Sequence, residues 1–145
     1  RGETMGLLIT DISYFSVLIA GIVGMVIGAL WYSPLLFGNL WIALMGFTEK
    51  DITAAKNKNM TLQYALQFVA LLVVAYVLSL LIASLGINTI PAVFQLAFWL
   101  WLGFQATLEL SAVLWGGKSW SLFLLNSAHN LVVLAFMSWV LFLFA

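Results

Sequence analysis

Four apolar runs, each about 18 to 25 residues long, constrain this chain more than any other feature. They fall at about 14–31, 62–85, 90–115 and 120–144. At 1.5 Å per residue, a helix of that length crosses a hydrocarbon core about 30 Å thick. A soluble domain of 145 residues that is 65% hydrophobic and 7% charged would present large apolar patches to water, which soluble proteins avoid. A bilayer removes that penalty. It also requires every backbone polar group to bond within its own segment or barrel, and runs of this length meet that demand as helices. The expected fold class is all-α: an integral membrane four-helix bundle, one transmembrane domain over residues 1–145. The lipid bilayer is its first partner.

The first run lacks a basic flank and a small-residue cleavage site, and Trp31-Tyr32-Ser33-Pro34 follows it. It reads as a retained span rather than a secretory signal. Arg1 to Thr4, ahead of Met5, read as a non-native remnant. Short links around Gly86, Asn88 and Pro91, and at Gly116-Gly117-Lys118, make the last three spans antiparallel neighbours. The link over 33–60 is longer. Ser33 is placed to cap a helix with Pro34 at its first position, Leu35 to Met45 continues it, and Gly46 closes it. That helix is too short to span and is expected to lie in the interface or re-enter. Thr48-Glu49-Lys50-Asp51 resembles a capping box that opens a polar helix toward Lys58. Asp11 and Asn88, at the opposite ends of the spans, read as caps.

Lys50, Lys56, Lys58 and Lys118 fall on one side of the bilayer, against Arg1 alone on the other. The positive-inside rule predicts that 33–60 and 116–119 are cytoplasmic and both termini outside. A plasma membrane of bacterial type is the expected location. Trp31, Tyr32, Trp41, Trp115 and Trp120 suit an interfacial aromatic belt.

Several functions are excluded by composition. Five basic and five acidic residues leave a net charge of zero, so no basic surface recruits nucleic acid. Without cysteine there are no disulfides and no thiolate chemistry. One histidine and one deep carboxylate are too few to ligate a metal. No phosphate-cradling glycine loop or serine-nucleophile frame is present, so no cofactor is expected.

Glu109 is the exception to the apolar pattern. It lies inside the third run, and an ionisable group at membrane depth is a functional-site candidate. Gln105 is one turn away on the same face. On the fourth run Asn126, His129 and Asn130 share a face, and on the second Gln63 and Gln67 do. Counting from the Gly116-Gly117 turn puts Glu109 and Asn126 at similar depth. Burying a charged carboxylate in hydrocarbon is costly, which makes Glu109 a candidate proton donor or head-group ligand. A network that only locks three helices together is the competing reading. The first run carries Ala20, Gly21, Gly24 and Gly28, a small-residue face that lets another backbone approach closely, within the chain or from a second copy.

The block Gly28-Ala29-Leu30-Trp31-Tyr32-Ser33-Pro34-Leu35-Leu36-Phe37-Gly38-Asn39-Leu40-Trp41, followed by Met45-Gly46, resembles the signature of the DUF1761 family. Looser likeness extends to Trp101, Gly103 and Phe104 and to the start of the fourth run. The resemblance implies four spans and a membrane location, and no activity. Three functions stay open. The first is a non-enzymatic membrane protein, homodimeric through the glycine face, whose polar cluster is structural or binds a lipid or small apolar molecule. The second is a proton-linked transporter or channel working as an oligomer with Glu109 as gate, and the third an intramembrane enzyme with Glu109 and His129 as acid–base pair.

Overall fold

Residues 12–145 are described by a computed structural model, and every regular element among them is helical. Arg1 to Thr4 and Asp11 lie outside those residues. The order is α1 (Tyr14–Trp31), α2 (Gly38–Met45), α3 (Glu49–Lys56), α4 (Thr61–Ser84) and α5 (Ile90–Trp101). A π-helical turn (Leu102–Ala106) then leads into α6 (Thr107–Leu114), and α7 (Trp120–Leu143) follows. α1, α4, the continuous α5–α6 rod and α7 are each long and apolar enough to cross a membrane. The chain is an all-α four-helix membrane bundle, and its spans begin and end within one residue of the expected bounds.

Local chemistry accounts for most of the ends. The Ser13 hydroxyl accepts from Ser16 N at 3.3 Å, Thr89 caps α5 toward Ala92 N at 3.3 Å, and Ser119 caps α7 toward Leu122 N at 3.1 Å. Thr89, rather than the neighbouring Asn88, is therefore the cap at that turn. Thr48 and Asp51 form the expected capping box around α3, with Asp51 N to Thr48 Oγ1 at 3.2 Å and Thr48 N to Asp51 Oδ2 at 2.9 Å. The hydrogen bond from the Thr48 backbone holds the exposed Asp51 carboxyl below the usual aspartate value, with its side-chain bond to Thr48 adding to the effect.

Two expectations are corrected. Ser33 and Pro34 do not open a helix. The Ser33 hydroxyl donates to Leu30 O at 2.7 Å and accepts from Leu35 N at 3.3 Å, so residues 33–37 form tight turns and α2 starts only at Gly38. Gly38 N donates to Ser33 O at 2.8 Å, and an added Cβ there would sit 2.5 Å from Tyr32 O and 2.7 Å from Ser33 O. Only glycine tolerates that backbone approach. The third span, expected as one regular helix, is widened by the π-turn at 102–106.

α1 is wedged between α4 and α7, while α5 and α6 lean chiefly on α7. Ala20, Leu71, Ala75, Leu78, Ala97, Val133, Met137 and Leu141 form the core where these helices meet. The small-residue face of α1 is used here. Ala20 is fully buried, a Cβ on Gly21 would come 2.7 Å from Leu72, and one on Gly24 would come 3.0 Å from Leu71 and 3.2 Å from Met137. That face packs against α4 and α7 of the same chain.

Candidate functional site

The third span reaches the site through its π-turn. In a regular α-helix, residues eight apart are out of phase by about 80°. One widened turn absorbs a residue and brings the offset to about 20° in the opposite sense. Trp101 and Glu109 thereby both face α7. Trp101 Nε1 donates to Ser127 O at 2.7 Å, and Ser127 Oγ donates to Glu109 Oε2 at 3.3 Å. The buried positions of the span run Val93 and Ala97, then Ala106 beyond the widened turn, and its bonds to α7 come from Trp101 and Glu109. Inside the widened turn the Gly103 carbonyl is taken by the Thr107 hydroxyl at 2.8 Å.

Around Glu109 the polar groups form a chain. Asn130 Nδ2 donates to Glu109 Oε1, and Asn130 Oδ1 lies 3.2 Å from His129 Nδ1. An amide oxygen can only accept, so the imidazole donates from Nδ1 and, in its neutral form, leaves Nε2 as an acceptor. His129 and Glu109 therefore meet through Asn130. On the neighbouring turn, Tyr32 Oη donates to Asn126 Oδ1 at 2.7 Å. Tyr32 sits just past the end of the first span, and its phenol is pushed up to about 12, first by burial and then by the negative charge of Glu109. It stays a neutral donor throughout the physiological range.

An aromatic wall closes one side. The His129 ring lies 5.0 Å from Tyr32 and 5.9 Å from Trp31, Trp31 is 4.7 Å from Phe37, and Tyr32 is 5.5 Å from Trp41. Gly28 keeps α1 close to the imidazole, since a Cβ there would meet Nε2 at 3.6 Å. On the other side a cavity of about 90 Å³ lies between α6 and α7, lined by Glu109, Ala112, Val113, Lys118, Leu122, Phe123 and Asn126. Among the described residues, five buried side-chain polar atoms lack a hydrogen-bond partner; two of them, Trp31 Nε1 and His129 Nε2, belong to this wall, and a third is Gln105 Oε1 in the π-turn.

Of the residues singled out from sequence, Glu109, Asn126, His129 and Asn130 come together here. Gln105 sits in the π-turn, partly buried, with its Oε1 unpaired rather than bonded to Glu109. Gln63 and Gln67 are exposed on α4, which packs on α1 and α7 and takes no part in this network. Sequence reasoning missed Ser127, Trp101, Trp31 and Tyr32. Ser127 is four residues from Leu131 and three from Asn130, a helical spacing that places it beside the recognised polar face. The aromatics carry no such signal, because an interfacial anchor and a packed site wall use the same residue types.

A family model described as a protein of unknown function (DUF1761) matches residues 15–142. No curated protein and no solved structure matches the chain.

Proposed function

Because this chain belongs to the DUF1761 family, whose function is unknown, we propose a role from its own geometry: a non-enzymatic membrane protein whose polar cluster binds a lipid head group or small molecule. One observation carries the reading. His129 Nε2, at the end of the bonded chain that runs from Glu109 through Asn130, and Trp31 Nε1 beside it are buried and unpaired, and Glu109 itself lines a cavity. A network that served only to lock helices together would satisfy its members, since each unpaired buried group costs about 1–3 kcal/mol. An acid–base role is less well supported, because His129 is bonded to Asn130 rather than to Glu109 or Ser127. The cluster lies toward the end of the bundle that carries Lys50, Lys56, Lys58 and Lys118, and the positive-inside rule makes that end cytoplasmic.

Native mass spectrometry after mild extraction tests this on the parent protein and on Glu109→Gln. The expected result is a bound mass on the parent that disappears in the variant while both remain folded. An identical spectrum for the two proteins would overturn the reading.

A further inference from the structure

The cavity beside Glu109 has an acidic side chain at one end, a basic one at the other and apolar walls between. Glu109 is inside the span, and both of its bonded partners, Asn130 and Ser127, are neutral donors. The Glu109 carboxyl therefore has no cationic partner in the network. Lys118 lines the same cavity from the turn that joins α6 to α7. Ala112, Val113, Leu122 and Phe123 complete the walls, and Asn126 adds an amide whose oxygen accepts from Tyr32 and keeps a second lone pair free. The deep end thus offers a carboxyl and an amide oxygen as acceptors, and the shallow end offers a lysine.

A ligand that answers both ends carries its own two charges in the opposite order. A primary ammonium supplies three donors and no acceptor, which matches the carboxylate and the Asn126 oxygen. A phosphodiester suits the lysine, which binds phosphate as a point charge. The size of the cavity narrows the choice. A water needs about 10–15 Å³ of such space, so about 90 Å³ takes a short amino-alkyl group and excludes an acyl chain. Lys118 also lies beside Trp115 and Trp120, which are 88% and 57% exposed. Exposed tryptophans of this kind mark the head-group level of a bilayer. We infer that the cleft between α6 and α7 binds an ethanolamine phosphate group, with the ammonium on Glu109 and Asn126 and the phosphate on Lys118. The inference rests on the binding role proposed above and specifies its ligand.

The experiment uses the whole chain in detergent, stripped of endogenous lipid and titrated under native mass spectrometry. Phosphatidylethanolamine, phosphatidylcholine and phosphatidylglycerol of the same acyl composition are compared, with free O-phosphoethanolamine as competitor. Phosphatidylethanolamine should be retained at least tenfold better than the other two, because a trimethylammonium cannot donate and a glycerol head group has no cation. Glu109→Gln should abolish that preference. Lys118→Gln, at an exposed turn where folding is not at stake, should weaken phosphatidylethanolamine binding severalfold. Competition by free O-phosphoethanolamine would assign the group to a soluble source; an unaffected adduct would assign it to the bilayer. Equal retention of all three lipids, together with another bound mass that still depends on Glu109, would overturn the ethanolamine assignment and leave the binding role standing. No Glu109-dependent mass of any kind would overturn both.

Discussion

Glu109 holds its place through two donors from one helix, Asn130 Nδ2 and Ser127 Oγ. Bonds to a charged acceptor in a low-dielectric setting are stronger than neutral ones, and deleting the acceptor strands both donors. Glu109→Leu should therefore lower stability in detergent by about 1–3 kcal/mol, measured by thermal unfolding. Tyr32→Phe removes one bond to Asn126 and should cost about 1 kcal/mol. If Glu109→Leu unfolded at the parent temperature, the bonds to α7 would have no energetic weight. His129 shows the limit of residue-level reasoning from sequence. Its spacing to Asn126 and Asn130 placed it on the correct face of α7, yet its neighbours across the interface are aromatic rings of the Trp31–Tyr32 corner.

At the scale of elements, two irregularities set the site. The π-turn rephases the third span so that Trp101 and Glu109 both reach α7. Period counting could not reveal it, because a helix apolar on nearly every side carries little phase to count. The other irregularity is the Trp31–Gly38 corner, which folds the end of α1 back and sets Phe37 against Trp31 and Trp41 against Tyr32. Its tight turn depends on the missing Cβ at Gly38, which faces rigid backbone rather than a movable side chain. Gly38→Ala should cost about 2 kcal/mol and displace α2, with a loss of protection in amide exchange over residues 33–45. Unchanged protection there would mean that the backbone approach is not obligatory. The distinctive Trp-Tyr-Ser-Pro and Phe-Gly block is thus explained by geometry. It looks like a helix start in sequence because Ser-Pro suits one, but the Ser33 hydroxyl bonds within its own turn.

At the scale of the molecule, α7 organises the bundle, packed on α1, α4 and the third span. The glycine face of α1 is what lets three of these helices close, with Gly24 against both Leu71 and Met137. Gly24→Leu should overpack that contact and destabilise the bundle by about 1–3 kcal/mol, read as a lower unfolding midpoint in detergent. A variant as stable as the parent would show that α1 can move away from α4 and α7 at little cost. The small-residue motif therefore serves packing within the chain.

Sequence by itself determined the fold class, the four spans to within one residue, the α3 cap and the presence of one carboxyl side chain inside a span. These are local or one-dimensional properties, set by run length, capping chemistry and the cost of polar groups in hydrocarbon. The tertiary structure alone decided which polar residues meet. It left Gln63 and Gln67 exposed on α4, brought Ser127 and Tyr32 into the network, and placed Lys118 and Glu109 on one cavity. The reason is rotational. In an all-apolar helix, rotation about the axis changes little in lipid, so the facing is set by interhelical packing and hydrogen bonds, and those arise only when the helices are assembled.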